Sequence, residues 1–337
     1  MLACALLVWT FRDLDLGRTV SLVSQVPPLA LALILVPQLL ALGLESTGWC
    51  EAFGVLGHKI PQLALLRLRV STEAMAQTLP AGVVWAESIK PALLDRWCGV
   101  PLCDALAGMA ARKYLLVLSQ SVYVLTMGLL GFTALERASV GVIGVPGLPW
   151  LVLLAALVLL AAAILLRSLL SHGALAARLL ALLLRLPSRR LRRALQEQTR
   201  RFHETDGRVR RFFEVGGMRA HASALWLLAA WLLESLETFV ILRSLGVELD
   251  FTTVAAFEVA LCFARNVVFV LPSGLGLHDL GYVTFLTALG VADPIVAGAA
   301  FMILKRGKEA FWALVGYTLL LTGPRRRDSL KLAAESA

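Results

Sequence analysis

The chain has 337 residues, 58% of them hydrophobic and 16% charged, with a mean hydropathy of +0.78 and a net charge of +9. That balance excludes an ordinary soluble domain and points to an integral membrane protein. The positive charge does not call for nucleic acid, because twelve arginines fall in residues 178–219 against four acids, between apolar segments. The positive-inside rule accounts for that block and for Arg325, Arg326 and Arg327, with anionic lipid as the further partner it would suit.

In chain order, residues 1–10 read as the end of a first membrane helix that is expected to begin upstream of Met1, since a crossing needs about 20 residues. Further apolar segments fall at 20–44, 60–79, 83–97, 102–134, 149–176, 219–244, 252–271, 275–290 and 294–322. The expected fold is an all-α polytopic helical bundle forming one transmembrane domain over 1–323. Its halves are about 1–135 and 149–323, with a basic loop at 177–218 and a tail at 324–337. The pairs 60–79/83–97 and 252–271/275–290 are short, polar and joined by Pro/Gly turns. Each is a candidate re-entrant hairpin, because non-helical backbone survives at membrane depth only where protein or a wet cavity shields it. Placing the basic loop in the cytoplasm puts His58, Lys59, Arg67, Arg69, Arg96 and the C-terminus there too, with loops 135–148 and 245–251 outside. The five cysteines show no CxxC or His-paired spacing, so neither metal nor other cofactor is expected.

The two hairpins carry related turns. LPAGVVWAE at 79–87 matches LPSGLGLHD at 271–279 in Leu, in Pro (Pro80, Pro272), in Gly two residues on (Gly82, Gly274) and in an acid seven residues after the Pro (Glu87, Asp279). An odd number of crossings, 102–134, 149–176 and 219–244, separates them and inverts one relative to the other. Inverted repeats with broken helices are a transporter architecture, and a membrane scaffold of the same symmetry would carry the same pattern.

Charged residues inside the apolar segments are the candidate site. Lys305, Arg306, Lys308 and Glu309 lie within 294–322, where each lipid-facing charge costs about 2.5–3.5 kcal/mol. They are therefore expected to face protein or water, with Lys305 and Glu309 partly neutralising each other at i, i+4. Arg265 and Glu258 share a stripe on 252–271, His278 and Asp279 begin the returning segment, and Glu87 and Lys90 share a face in the first hairpin. Glu234 and Glu237, inside 219–244, are candidates for proton coupling or for hydrogen-bonded packing. Arg265, Lys305, Arg306 and Lys308 near Asp279 describe a basic, partly compensated pocket suited to an anionic lipid headgroup or a soluble anion; a structural ion-pair network is the alternative. No nucleophile elbow, HExxH, P-loop or paired cysteine set marks an enzyme.

LPSGLGLHDLGYVTFLTALGV and TLPAGVVWAESIKPALLDRWCG resemble the two Pro-Gly-acidic signatures of the lysylphosphatidylglycerol synthase membrane region, a flippase-like domain also found alone. Ser273 stands where a second Gly is common, Asp279 replaces Glu, and His278 replaces a frequent Arg. Val84 and Trp85 replace a Gly pair, and Glu87 replaces Asp. The resemblance implies movement of an anionic, aminoacylated or polyprenyl-linked lipid between leaflets of the cell inner (plasma) membrane. It places Pro272, Gly274, Gly276 and Asp279 in one site and Pro80, Gly82, Glu87 and Lys90 in the other. No aminoacyl-transferase domain is expected after residue 322, so the resemblance is not taken to imply aminoacylation. The rival expectations are a non-transporting partner that presents lipid to a lipid-modifying enzyme or glycosyltransferase, and a membrane-embedded lipid enzyme using Asp279 or His278.

Overall fold

The computed structural model describes residues 15–172, 199–267 and 277–324. The side chains of 142–143, 199–202, 263–267 and 277–279 are outside that description, as is the second hairpin turn with Pro272, Gly274 and Gly276. Among the described residues there are twelve helices and no strand. The first half comprises α1 (Leu16–Ser24), α2 (Pro28–Val55), α3 (Gln62–Thr78), α4 (Gly82–Cys98), α5 (Leu102–Leu130) and α6 (Phe132–Ile143). Then follow α7 (Leu148–Ser171), α8 (Thr199–Val215), α9 (Gly217–Ser244), α10 (Phe251–Val267), α11 (Leu277–Ala288) and α12 (Pro294–Leu321). Helices α2, α5, α7 and α9 are long and apolar enough to cross a membrane. The chain is a multi-pass membrane protein.

Two expected boundaries move for local reasons. The segment expected over 20–44 is two helices, because Pro27 and Pro28 lack the N–H groups that would continue α1, and Pro28 instead opens α2. The segment expected over 102–134 breaks at Gly131, where a Cβ would fall 2.1 Å from Ala256 Cβ. Only glycine lets α10 pack that close to the junction of α5 and α6.

The basic segment expected as a loop over 177–218 contains a helix, α8. Its Val209 and Phe212 enter the core formed by α2, α4 and α5, leaving Arg208 and Arg210 outside. Asp104 at the start of α5 fastens it, forming ion pairs with Arg208, whose Nε lies 3.0 Å away, and with His58 Nε2 at 2.9 Å.

Helix lengths and spacing recur along the chain. Helices α2 and α9 each have 28 residues, and the next helix starts 34 residues later in both (62 − 28 and 251 − 217). The fourth members, α5 and α12, have 29 and 28 residues. Helices α2 and α9 pack antiparallel along their lengths. Arg219 lies against Gly54, and Ser223 Oγ donates to Gly48 O at 2.7 Å. Gly48 permits this approach, since its Cβ would meet Ser223 O at 3.2 Å. Antiparallel α2 and α9 are the arrangement that inverted halves require. Each half's last helix also packs on the other half's hairpin, α12 on α3 and α5 on α10.

The first hairpin closes through backbone. Ala81 sits in the left-handed region (φ 51°), and a Cβ on Gly82 would fall 2.4 Å from Met75 O and 2.5 Å from Ala76 O. The glycine therefore serves approach to the end of α3, not only to a ligand. Ala81→Gly is expected to raise unfolding stability by about 1 kcal/mol by removing left-handed strain. Gly82→Ala is expected to lower it by about 1–3 kcal/mol through overpacking. Thermal unfolding in detergent measures both.

Asp250 precedes α10 and accepts from the hydroxyls of Thr252 and Thr253 and from Thr253 N. Those bonds hold its carboxyl down at about 2. A depressed carboxyl contributes stability that is complete above its unfolded value, near 3.9, and is lost as pH falls through about 2. Asp250→Ala should flatten that acid limb in thermal melts at stepped pH.

Candidate functional site

A cavity of about 100 Å³ lies between α2, α3, α9, α10 and α12. Helical spacing aligns its lining. Gln38, Ala41, Leu42 and Glu45 form one stripe of α2; Arg69, Glu73 and Gln77 recur every four residues on α3; Glu234 and Glu237 face it from α9, Glu258 from α10, and Lys305, Lys308 and Glu309 from α12. The space admits several waters.

Within the first half, Glu45 is the hub. Arg69 grips it in a fork, Nε to Oε2 at 2.5 Å and Nη2 to Oε1 at 3.2 Å, and also donates to Glu73. Arg112 from α5 adds Nη2 to Glu45 Oε2 at 3.0 Å while its guanidinium lies 4.5 Å over the Trp49 ring. Glu87 accepts from Lys90 Nζ at 2.6 Å and lies 3.7 Å from Arg112 Nη1.

In the second half, Lys308 Nζ donates to Glu237 Oε1 at 2.6 Å and to Gln38 Oε1 at 3.0 Å, so one ammonium joins α12, α9 and α2. Lys305 Nζ donates to Tyr282 Oη at 2.9 Å and lies 4.0 Å from Glu258; Tyr282 in turn donates to Glu258, which also accepts from Thr238 Oγ1 at 2.5 Å. Arg306 Nη1 donates to Glu309 Oε2 at 2.6 Å.

Several sequence expectations change. The pairing expected between Lys305 and Glu309 is replaced by Arg306–Glu309 at i, i+3, because Lys305 turns over the rings of Tyr282 and Phe301 toward Glu258. Arg69, which the sequence marks as cytoplasmic, is held within the network with its side chain 14% exposed; its neighbour Arg67 caps the end of α12 through Leu319 O and Thr322 Oγ1. The expected basic pocket is a mixed one. Six acids and three cations line the cavity. With the partners just named, seven acids (45, 73, 87, 234, 237, 258, 309) face six cations (69, 90, 112, 305, 306, 308). For the pairs named above, opposite charge offsets the cost of leaving water.

Of the expected residues, Glu234, Glu237, Lys305 and Glu309 line the cavity, while Glu87, Lys90 and Arg306 belong to the adjoining pairs. Gly82 closes the first hairpin beside Pro80. The side chains of Arg265, His278 and Asp279 lie outside the described residues, as do Pro272, Gly274 and Gly276. Glu45, Glu73, Arg112, Gln38 and Tyr282 were not singled out from sequence.

A family model, the lysylphosphatidylglycerol synthase TM region, matches residues 1–307. The chain belongs to that family. No curated protein and no solved structure matches it significantly. Family members of this kind are membrane proteins related to lipid handling, and the matched region is the membrane part of the synthase.

Proposed function

We propose that the chain moves a phospholipid, aminolipid or polyprenyl lipid with a charged headgroup between membrane leaflets, without chemistry of its own. The observation that carries the reading is the mixed-charge cavity between helices whose outer faces are apolar. Ion pairs that can be exchanged one at a time would let a headgroup bearing phosphate, amine or both replace protein partners without leaving a bare charge in low dielectric. Acyl or prenyl chains would remain in the bilayer. Family membership and the inverted halves support the same reading, since inverted halves around a midplane site are suited to alternating access. On this reading α3–α4 is a re-entrant hairpin, each arm of 17 residues rising about 25 Å, short of the ~30 Å hydrocarbon core. The basic segment and the C-terminus lie in the cytoplasm of a plasma-membrane protein, as the distribution of arginines supports.

The test is exchange of fluorescent phosphatidylglycerol between leaflets of proteoliposomes, read by external quenching. Wild-type protein is expected to accelerate exchange and Arg306→Ala to slow it at least about tenfold, the effect of ~1.4 kcal/mol on a barrier. Exchange no faster than in protein-free vesicles, together with a stable complex with a lipid-modifying enzyme, would instead establish a lipid-presenting partner.

A further inference from the structure

Two buried cations share one indole. Arg112 Cζ lies 4.5 Å and Lys90 Nζ 5.7 Å from the Trp49 ring centroid, and their side chains are 6% and 3% exposed. Acceptors around them fall short. Lys90 spends one of its three N–H groups, on Glu87. Arg112 Nε and Trp49 Nε1 are both buried and meet no acceptor. Buried donors are nearly always satisfied, so two orphans beside an under-used ammonium leave unmet demand for an acceptor that carries several lone pairs.

The counter-ions around this cluster are unequal. Glu45 is buried and fixed by three bonds from Arg69 and Arg112. Glu87 is a third exposed, holds Lys90 at 2.6 Å and touches Arg112 only at 3.7 Å. It is therefore the acid that can leave at least cost. Replacing one anion by another keeps the charge of the cluster constant, which avoids the penalty of stranding two cations.

Taking lipid translocation as the function, we infer that Lys90, Arg112 and the Trp49 N–H form an oxyanion site for the phosphate of the lipid headgroup, with Glu87 as the counter-ion that the phosphate displaces. A guanidinium and an ammonium around one acceptor with three or four oxygens use every orphaned donor. Glu87 then has a competitive role that a structural salt bridge does not have, and the sign of its substitution separates the two.

The experiment titrates the purified full chain in detergent with dihexanoyl-phosphatidylglycerol, with inorganic phosphate, and with dihexanoylglycerol, which lacks the phosphate, using calorimetry. Glu87→Gln is expected to tighten binding of the phosphate-bearing lipid by about tenfold, since it removes an internal competitor, and Lys90→Met to weaken it by about as much. Dihexanoylglycerol should not bind at this site. Unchanged or weaker lipid binding by Glu87→Gln overturns the inference, and binding of inorganic phosphate without the lipid overturns the headgroup assignment. If Glu87→Gln does not fold, Trp49→Phe, which removes the indole N–H together with part of the ring but keeps an aromatic face under Arg112, should weaken binding; unaltered affinity there overturns the inference equally. Leaflet exchange on the same preparations keeps the two readings apart. Exchange without phosphate-lipid binding defeats this site alone, and binding without exchange defeats translocation.

Discussion

Glu45→Ala should be the most damaging single substitution in the first half, lowering unfolding stability by about 3–5 kcal/mol, the cost of breaking a buried ion pair from one side. The carboxylate accepts two bonds from Arg69 and one from Arg112. Its loss leaves two guanidinium groups with only Glu73 and the more distant Glu87. Membrane depth sharpens the effect, because water cannot flow in to solvate the stranded charges as it would at a surface. Against a total stability of about 5–15 kcal/mol, this loss would deplete the folded fraction on heating. Glu45→Gln keeps an acceptor oxygen and should fall between. Denaturant and thermal unfolding in detergent, read by the eight tryptophans, decide it. A loss below about 1 kcal/mol for Glu45→Ala would mean that the cavity holds enough water to solvate both arginines.

That hub also marks where sequence reading stopped. Apolar length found α5, α7 and α9, and the first Pro-Gly-acid turn falls at the junction of α3 and α4, because those signals are local; the second turn lies outside the described residues. An apolar window closes at the first carboxylate and so predicts an end at residue 44, although α2 continues to Val55. Nothing near Glu45 in the chain announces its partners, which lie 24 and 67 residues away. Arg69 failed for the matching reason: an arginine near a hairpin end reads as a surface charge until the helix that carries Glu45 is packed beside it. The one signal that reaches this site is the repeat itself. Pro80 and Pro272 differ by 192 residues, and so do Glu45 and Glu237 (237 − 45). Both glutamates are buried, both face the cavity, and each is held by cations, Arg69 and Arg112 for one and Lys308 for the other. The motif positions 82 and 87 were legible as a pattern, but the closing contact of Gly82 with Met75 O depends on a backbone geometry that no spacing rule states.

The second large effect is expected at Lys308 and Glu237, where stability and transport should separate. The pair is buried on both sides, 4% and 6% exposed, and with Gln38 it ties the last helix of one half to the first helices of both. Lys308→Met alone should cost about 3–5 kcal/mol by stranding Glu237, and Glu237→Leu alone should cost as much by stranding Lys308. The double variant removes both charges and fills their space with apolar volume, so its stability should return to near wild type, as buried pairs replaced by hydrophobic residues commonly do. If the pair were only a staple, the double variant would also exchange lipid at the wild-type rate. If the pair opens to admit a headgroup, the apolar replacement offers no charge to exchange and no polar lining for the passage, so exchange should fall at least about tenfold while the protein stays folded. The coupling free energy from the two singles and the double, set beside the exchange rates of the same three variants, measures both properties of one pair. A stable double variant that still moves lipid would shift the passage away from Lys308, and with it the role given to the mixed charge of the cavity.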